Sequence, residues 1–201
     1  MAYEFSQDWF SHNIGKWTEI LDKYEPHIVL EIGSFEGRST AFLIEYLGDK
    51  YPISLDVIDT WEGGMEHEGI NFQVIEERFN NNVREAVKRA KNEIYFRKHK
   101  AKSLEALIDL SLLLDLEEHF DLIYIDGSHE APYVLSDALL SFNLLRKDGI
   151  IIFDDYEWGK ELYDPTLSPK LAIDAFLSIY QNYLEVLHKG WQVIIKKTKS
   201  L

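Results

Sequence analysis

The sequence predicts an α/β protein in which helices cover both faces of a mostly parallel, doubly wound sheet. Three observations support this fold class: short apolar runs alternate with helical segments, each run is continuously apolar, and a glycine turn follows the first run. Continuous hydrophobicity is typical of strands that are buried on both faces. We therefore expect a three-layer sandwich that ends in an antiparallel hairpin.

Five apolar runs are the predicted parallel strands, at residues 27–32, 53–58, 94–96, 121–125 and 149–153. Apolar residues at helical spacing predict helices at residues 39–47, 103–114, 132–145 and 169–180. The last two apolar runs, residues 183–187 and 191–196, flank Lys189-Gly190 and are predicted to form the terminal hairpin.

The composition indicates one globular domain without nucleic-acid or membrane-binding character. The 201 residues carry a formal net charge of −14, which leaves no overall attraction for nucleic acid or anionic lipid. The chain has no cysteine, so disulfides, thiolate metal sites and cysteine nucleophiles are excluded. The first residues lack a basic region followed by an apolar stretch, so we expect a cytoplasmic protein.

Residues 84–102 depart from this acidic balance, because they contain eight basic and only two acidic residues. A solvated helix face followed by a strand edge is the interpretation that we favour, since charge runs usually lie on surfaces. The alternative is a binding surface for an anionic substrate or an acidic partner.

A glycine turn follows the first predicted strand and opens the first predicted helix. Gly33 and Gly37 leave room for a nucleotide-like ligand to approach bare backbone, although an ordinary strand-to-helix turn has the same pattern. The three-glycine dinucleotide fingerprint is absent. Glu31 lies inside the strand and needs a cationic or hydrogen-bonding partner. Asp59, after the second strand, is placed either to bind a ribose diol or to cap a turn.

Three further acids follow predicted strands, and they are expected at the same edge of the sheet. Asp126 comes after the fourth strand, and Asp154 and Asp155 come after the fifth. Carboxylates that lie close together repel unless a cation sits among them, and oxygen ligands suit Mg²⁺, Mn²⁺ or Ca²⁺. His129 follows Asp126 by three residues and can take a proton near neutral pH. Turns and a helix cap are the alternative explanation for these acids.

These motifs resemble the class I S-adenosylmethionine-dependent methyltransferases, and most of all the macrocin O-methyltransferase type. The resemblance rests on Glu-x-Gly-x-x-x-Gly, the acidic end of the second strand, Ile-Asp-Gly-Ser-His and Phe-Asp-Asp-Tyr, and it covers residues 29–196. It implies a seven-stranded Rossmann-like sheet whose last hairpin supplies strands six and seven. It also implies metal-dependent O-methylation of a small molecule such as a sugar or a phenol.

The resemblance assigns roles to residues by position. Glu31 and Gly33 would face the methionine part of the cofactor, Ser39 its carboxylate, Asp59 the ribose, and Ser103 the adenine. The complete set of implied cofactor-binding residues is Glu31, Gly33, Ser34, Phe35, Gly37, Ser39, Asp59, Thr60, Trp61, Ser103 and Asp126. The implied metal ligands are Asp126, Asp154 and Asp155. His129 would be the general base, with Asp126 as the second catalytic residue. The related catechol enzymes carry asparagine at the position of Asp155, so this site is more anionic.

The resemblance divides the single domain 1–201 into four parts. Residues 1–26 are an N-terminal helical segment, residues 27–156 the cofactor- and metal-binding core, residues 157–170 a substrate loop, and residues 171–201 a helix plus the hairpin. Loop 61–79 is a further candidate for substrate contact. Trp61, Tyr156, Trp158 and Tyr163 either line the acceptor pocket or pack over the sheet edge. An apolar stripe covers the site or pairs with a second subunit; it comprises Phe5, Trp9, Phe10, Ile14 and Trp17.

Three other functions use the same features. The first is an NAD-dependent oxidoreductase. It would leave the acid cluster without a role, and this chain lacks the third glycine of the dinucleotide-binding motif. A non-catalytic cofactor-binding or assembly module would keep the fold without the chemistry. A methyltransferase that acts on RNA or protein would draw on the basic stretch 84–102.

Overall fold

A computed structural model describes residues 2–64, 71–113 and 118–200. Within them, seven strands form one sheet in the order β3-β2-β1-β4-β5-β7-β6. Strands β1 to β5 are parallel, β7 is antiparallel to β5, and β6 is antiparallel to β7. This topology confirms the predicted fold class, including the terminal hairpin. The strands are β1 (Ile28–Ile32), β2 (Ile53–Asp59), β3 (Ile94–Lys100), β4 (Phe120–Ile125), β5 (Leu145–Phe153), β6 (Leu184–Lys189) and β7 (Val193–Lys197).

Six helices cover the sheet and complete the three-layer sandwich. They are α1 (Ile14–Tyr24), α2 (Arg38–Gly48), α3 (Phe72–Arg89), α4 (Ser103–Leu113), α5 (Ala131–Leu144) and α6 (Pro169–Tyr180). One apolar core lies between α1, α2, α3 and one face of the sheet, and a second lies between α4, α5, α6 and the other face. Because both faces are buried, the central strands contain almost no exposed position. No helix in the described parts of the chain is long and apolar enough to cross a membrane.

Helix α3 occupies half of the segment that the sequence analysis assigned to a substrate loop. Residues 71–79 of loop 61–79 belong to this helix or its cap, and residues 65–70 lie outside the described residues. The helix begins after Asn71, whose side chain accepts a hydrogen bond from the backbone of Gln73 at 3.1 Å. It buries Ile75, Phe79 and Val83 at helical spacing. The many polar residues between them concealed this pattern.

Smaller differences concern element ends. Strand β3 continues to Lys100, which pairs with Asp59 of β2. Its residues mostly alternate between half-buried and exposed positions, so they lack the continuous apolar pattern of an inner strand. The N-terminal segment is helical from residue 11, as a short 3-10 turn followed by α1, and residues 2–10 form no helix. Residue 114, the predicted end of the helix that begins at Ser103, lies outside the described residues.

The basic stretch 84–102 is largely neutralised by acids of the same chain, which supports its interpretation as a solvated helix and strand surface. Arg97 bonds the buried Asp56 at 2.6 Å, and Lys98 and Lys100 share Glu76. Within the stretch Lys88 pairs with Glu85. Two further ion pairs join Arg89 to Glu45 and Lys91 to Asp49. Paired charges of this kind leave little positive potential for a nucleic-acid backbone.

The strand register brings the predicted site residues to one edge of the sheet. Ile32 lies opposite both Ile58 and Ile125, and Ile125 lies opposite Phe153. The residues that follow these four strand ends therefore meet at the carboxyl edge, where the strand order reverses between β1 and β4.

Candidate active site

The loops after β1 and β4 cross in direct contact at the centre of the site. Gly33 adopts φ +82, and a Cβ at this position would lie 1.9 Å from the carbonyl oxygen of Asp126. Backbone bonds fix both loops, from Gly33 N to Ile58 O and from Asp126 N to Ile32 O, each at 2.8 Å. Only glycine fits this crossing, because it combines a left-handed backbone with no side chain.

Glu31 is fully buried at the end of β1, and two hydroxyl groups of α2 supply the partner that its burial requires. Thr40 donates to one carboxylate oxygen at 2.6 Å, and Ser39 donates to the other. Burial nevertheless raises the pKa of Glu31 to about 7. Ser39, predicted to hold the cofactor carboxylate, therefore uses its hydroxyl proton on Glu31 in this structure.

Asp59 joins the loops after β1 and β2. Its Oδ2 accepts the backbone N–H groups of Ser34 at 2.8 Å and of Phe35 at 3.0 Å, and its Oδ1 accepts that of Trp61 at 2.7 Å. The Trp61 indole is buried and donates to the Phe35 carbonyl at 3.0 Å, so it links the two loops. The adjacent Thr60 hydroxyl accepts the backbone N–H of Glu62 at 3.1 Å.

Ser103 begins α4 and lies near Asp137, a buried residue of α5 that the sequence analysis did not identify. Burial raises the pKa of Asp137 to about 6. A carboxylate oxygen of Asp137 would lie 3.7 Å from a Cβ added to Gly127, so it underlies the loop after β4. Asp137 thus lies close both to the predicted adenine-side residue and to the loop that carries Asp126.

Asp126 and Asp154 share a single hydroxyl donor, that of Tyr124 on β4. The phenol lies 2.8 Å from Asp126 Oδ2 and also bonds Asp154 Oδ2. Burial, followed by the charges of neighbouring carboxylates, raises the pKa of both acids, and burial raises that of Tyr124 as well. One phenolic proton cannot serve two carboxylates at once, so this group needs a further proton or a cation.

His129 completes the acid cluster. Its Nε2 lies 2.8 Å from Asp155 Oδ2, and the ligand atoms of Asp126, His129 and Asp155 all lie within 4.8 Å of one another. Among the described residues this is the grouping with metal-ligand spacing, and it differs from the predicted set Asp126, Asp154 and Asp155. Asp154 lies outside this grouping: Tyr124 and Gln192 both bond its Oδ2, and the backbone of Asp155 bonds its Oδ1.

Two tryptophans border the acid cluster, and only one of them was predicted. Trp158 packs on the His129 ring with a centroid distance of 4.3 Å, whereas Trp191, at the hairpin turn, donates its indole N–H to Asp155 at 3.1 Å. The other predicted pocket residues lie elsewhere. Trp61 and Tyr156 are buried, the latter with its hydroxyl on Asp174, and Tyr163 is fully exposed.

Comparison with known proteins identifies the family of this chain. Residues 30–156, more than half of the chain, match a family described as "Methyltransferase domain". The chain belongs to this methyltransferase family, as the resemblance to methyltransferases predicted. A functionally uncharacterized protein of Acanthamoeba polyphaga mimivirus is 26% identical over 159 residues, which are 77% of this chain and 63% of that protein. The chain thus spans less than two thirds of the length of that curated relative.

Solved O-methyltransferases share the fold at low sequence identity. The Bacillus cereus O-methyltransferase in complex with S-adenosylhomocysteine is 18% identical, with a TM-score of 0.66 over 97% of this chain and 84% of that one. TomG from Streptomyces achromogenes, an O-methyltransferase of tomaymycin synthesis in complex with S-adenosylmethionine, is 17% identical. Its TM-score is 0.70 over 94% of this chain and 82% of TomG.

Proposed function

We propose that this protein is an S-adenosylmethionine-dependent O-methyltransferase of the macrocin type, which methylates a small-molecule hydroxyl with the help of a divalent cation. One observation carries the proposal: Asp126, Asp155 and the imidazole of His129 meet beside the glycine crossing at Gly33, and the Tyr124 hydroxyl links Asp154 to Asp126. A methyl donor on the glycine side and an activated hydroxyl on the acid side would be neighbours at this edge.

The glycine side has the features of a nucleoside-binding loop. Asp59 holds the backbone of this loop open, and its Oδ1, which accepts the Trp61 N–H, keeps a further acceptor site for a ribose hydroxyl. The first turn of α2 directs its N-terminal dipole toward the same loop. The O-methyltransferases from Bacillus cereus and Streptomyces achromogenes carry S-adenosylhomocysteine and S-adenosylmethionine on the same fold. These features support S-adenosylmethionine as the cofactor of this chain.

The acid side fits a divalent cation. Asp126 and Asp155 offer oxygen ligands at metal-ligand spacing, and Asp154 is the third oxygen ligand that we propose. Oxygen ligands suit Mg²⁺, Mn²⁺ or Ca²⁺. Asp126 and Asp154 share one phenolic proton, and a bound cation would relieve their mutual repulsion. A cation bound here would lower the pKa of an acceptor hydroxyl.

His129 is the proposed general base. An ionised carboxylate can only accept a hydrogen bond, so His129 Nε2, 2.8 Å from Asp155 Oδ2, carries the hydrogen. The proton of the acceptor hydroxyl would go to Nδ1, and Asp155 would stabilise the resulting imidazolium. The acceptor oxygen then forms the new bond to the methyl carbon while the bond from that carbon to sulfur breaks. The products are a methyl ether and S-adenosylhomocysteine, with the proton left on His129.

The acceptor we propose is a sugar or phenolic ring. Trp158 on His129 and Trp191 on Asp155 place two aromatic rings beside the cluster, and aromatic rings stack well on flat or sugar rings. The pairing of the basic stretch with acids disfavours RNA as a substrate. A cytoplasmic location and a homodimer stay predictions.

Calorimetric titration with S-adenosylmethionine and S-adenosylhomocysteine, each with and without Mg²⁺, tests the proposal. We expect micromolar binding of both compounds, and afterwards methyl transfer in a screen of sugars and phenols. Absence of binding under every condition would refute the assignment of the glycine side. Cofactor binding without any binding of Mg²⁺ or Mn²⁺ would instead support a non-catalytic cofactor-binding module.

A further inference from the structure

A chain of buried hydrogen bonds links helix α1 to the acid cluster. The indole Nε1 of Trp17 donates to Gln192 Oε1 at 2.9 Å, and Gln192 Nε2 donates to Asp154 Oδ2 at 2.9 Å. Trp17 is completely buried and Gln192 is 2% exposed, so water does not compete for these bonds. The chain connects three elements that lie far apart in sequence: α1, the turn before β7, and the end of β5.

The indole determines how the Gln192 amide is oriented. An indole N–H can only donate, so the amide atom that faces it must be the oxygen. The amide nitrogen must then face Asp154, where it donates to the carboxylate. An ionised carboxylate can only accept, so both neighbours select the same amide orientation, and without the indole donor only the carboxylate would select it.

Trp17 also supports the second donor to the same carboxylate. Its ring meets the Tyr124 ring edge-on at 4.7 Å and 86°, and the Tyr124 hydroxyl bonds Asp154 Oδ2. Both groups that bond Oδ2 therefore rest on one indole. Oδ1 accepts only the backbone N–H of Asp155 among the bonds that the structure shows for this atom, and it retains an acceptor site.

We propose that Gln192, oriented by Trp17, is a positioning residue that holds Asp154 so that this carboxylate offers a divalent cation its Oδ1 alone. The inference rests on the proposed metal dependence and deepens it. Removing a hydrogen-bond partner of a metal-binding carboxylate typically weakens metal affinity by about 10–100-fold. Gln192 would therefore set metal affinity without touching metal, cofactor or acceptor.

Replacement of Gln192 by methionine tests this directly, because the side chain keeps its length and charge but loses the amide. Mn²⁺ and S-adenosylhomocysteine are titrated separately into the purified full chain and followed by calorimetry. We expect Mn²⁺ to bind about 10–100-fold more weakly while the S-adenosylhomocysteine affinity stays unchanged. Gln181→Met is the matched control, because Gln181 is exposed at the end of α6 and bonds only the nearby Ser178 carbonyl at 3.0 Å among its recorded contacts.

Trp17→Phe gives a second, independent variant, which removes the indole donor and leaves Gln192 in place. We expect a smaller loss of Mn²⁺ affinity than in Gln192→Met. In the double variant the Trp17 substitution should have no further effect on Mn²⁺ binding, because the lost N–H acts through Gln192 and the phenyl ring keeps an aromatic contact for Tyr124. Thermal unfolding of each variant verifies that the domain is folded.

The outcomes separate the inference from the proposal beneath it. Wild-type protein that binds no Mn²⁺ would refute metal dependence, and this inference with it. Wild-type protein that binds Mn²⁺, with Gln192→Met binding it equally well, would overturn the inference alone. Additive effects of the two substitutions would equally overturn the role of Trp17 as the residue that orients the amide.

Discussion

The two sides of the candidate site treat their buried acids in opposite ways. On the glycine side, Glu31 and Asp59 each receive donors from their own chain: two hydroxyls for the first and three backbone N–H groups for the second. On the other side, Asp154 also receives Gln192 and the backbone of Asp155, whereas Asp126 has only the Tyr124 hydroxyl, which it shares with Asp154, among the bonds that the structure shows for it. The chain provides separate donors for both acids of the first pair, but only a shared donor for Asp126.

Asp59 organises a loop through its hydrogen bonds, whereas Asp126, with only a shared donor, is a candidate for binding a ligand. Asp59 accepts most of its hydrogen bonds from the loops that it joins, so its main effect is on the structure of those loops. The acid cluster lowers its repulsion only by holding extra protons or by binding a cation. The same residue type therefore indicates a different function according to how many donors surround it.

Asp154→Ala is expected to have the largest effect and separates the two sides most clearly. Methyl transfer should fall to the background rate, because the cation loses a ligand, while S-adenosylhomocysteine affinity should remain close to that of the wild type. Initial rates and calorimetry on the same preparation measure both. Asp109→Ala, at an exposed position of α4, is the control. Full activity in Asp154→Ala would contradict the metal mechanism.

His129→Ala should reduce the rate by about 10²–10⁴-fold, which corresponds to about 3–5 kcal/mol in the barrier. The reduction should appear in kcat, since the base acts after the substrate is bound. Single-turnover kinetics measure it, with the exposed His12→Ala as the control. A loss of Mn²⁺ affinity in place of a loss of kcat would identify His129 as a metal ligand.

Glu31→Gln should increase stability at alkaline pH, because the wild-type carboxylate must ionise while buried. The pKa of Glu31 is raised from 4.5 to about 7, so the unfolded chain releases this proton first. Wild-type stability therefore declines as pH rises from about 4.5 to about 7, by about 3 kcal/mol in total. Denaturant unfolding should show the variant more stable at pH 8 and little changed at pH 5. An equal difference at both pH values would contradict the raised pKa.

Asp59→Asn should cost about 2 kcal/mol of stability, the smallest of these effects. The amide nitrogen would replace one oxygen that accepts backbone N–H groups, and a buried donor without an acceptor costs about 1–3 kcal/mol. Cofactor affinity should fall together with stability, because the loop loses its tie. Thermal unfolding and calorimetry measure the two. Cofactor loss without any loss of stability would show that Asp59 serves the ribose more than the loop.

The sequence was sufficient for the fold and for the arrival of the strand-end acids at one edge of the sheet, because both depend on local patterns. Continuous apolar strands and acids at strand ends are visible without any tertiary information. The residues that were missed act through tertiary contacts. Gln192 is 38 residues from Asp154 in sequence, and Tyr124 looks like one more apolar residue of a buried strand. Trp17 was noted for its apolar surface, whereas its N–H group is what reaches the site.

The loop crossing at Gly33 makes the two sides of the site one mechanical unit. A Cβ there would overlap the Asp126 carbonyl, which shows that the backbones of the two loops are in direct contact. We therefore expect a shift of one loop to displace the other. Attempts to engineer a new acceptor range by reshaping this centre would disturb methyl donor and hydroxyl activation together. Trp158 and Trp191 border the centre from outside the crossing. Libraries aimed at new acceptors should therefore vary the segment 157–168 and the hairpin turn, and leave Gly33 and Gly127 untouched.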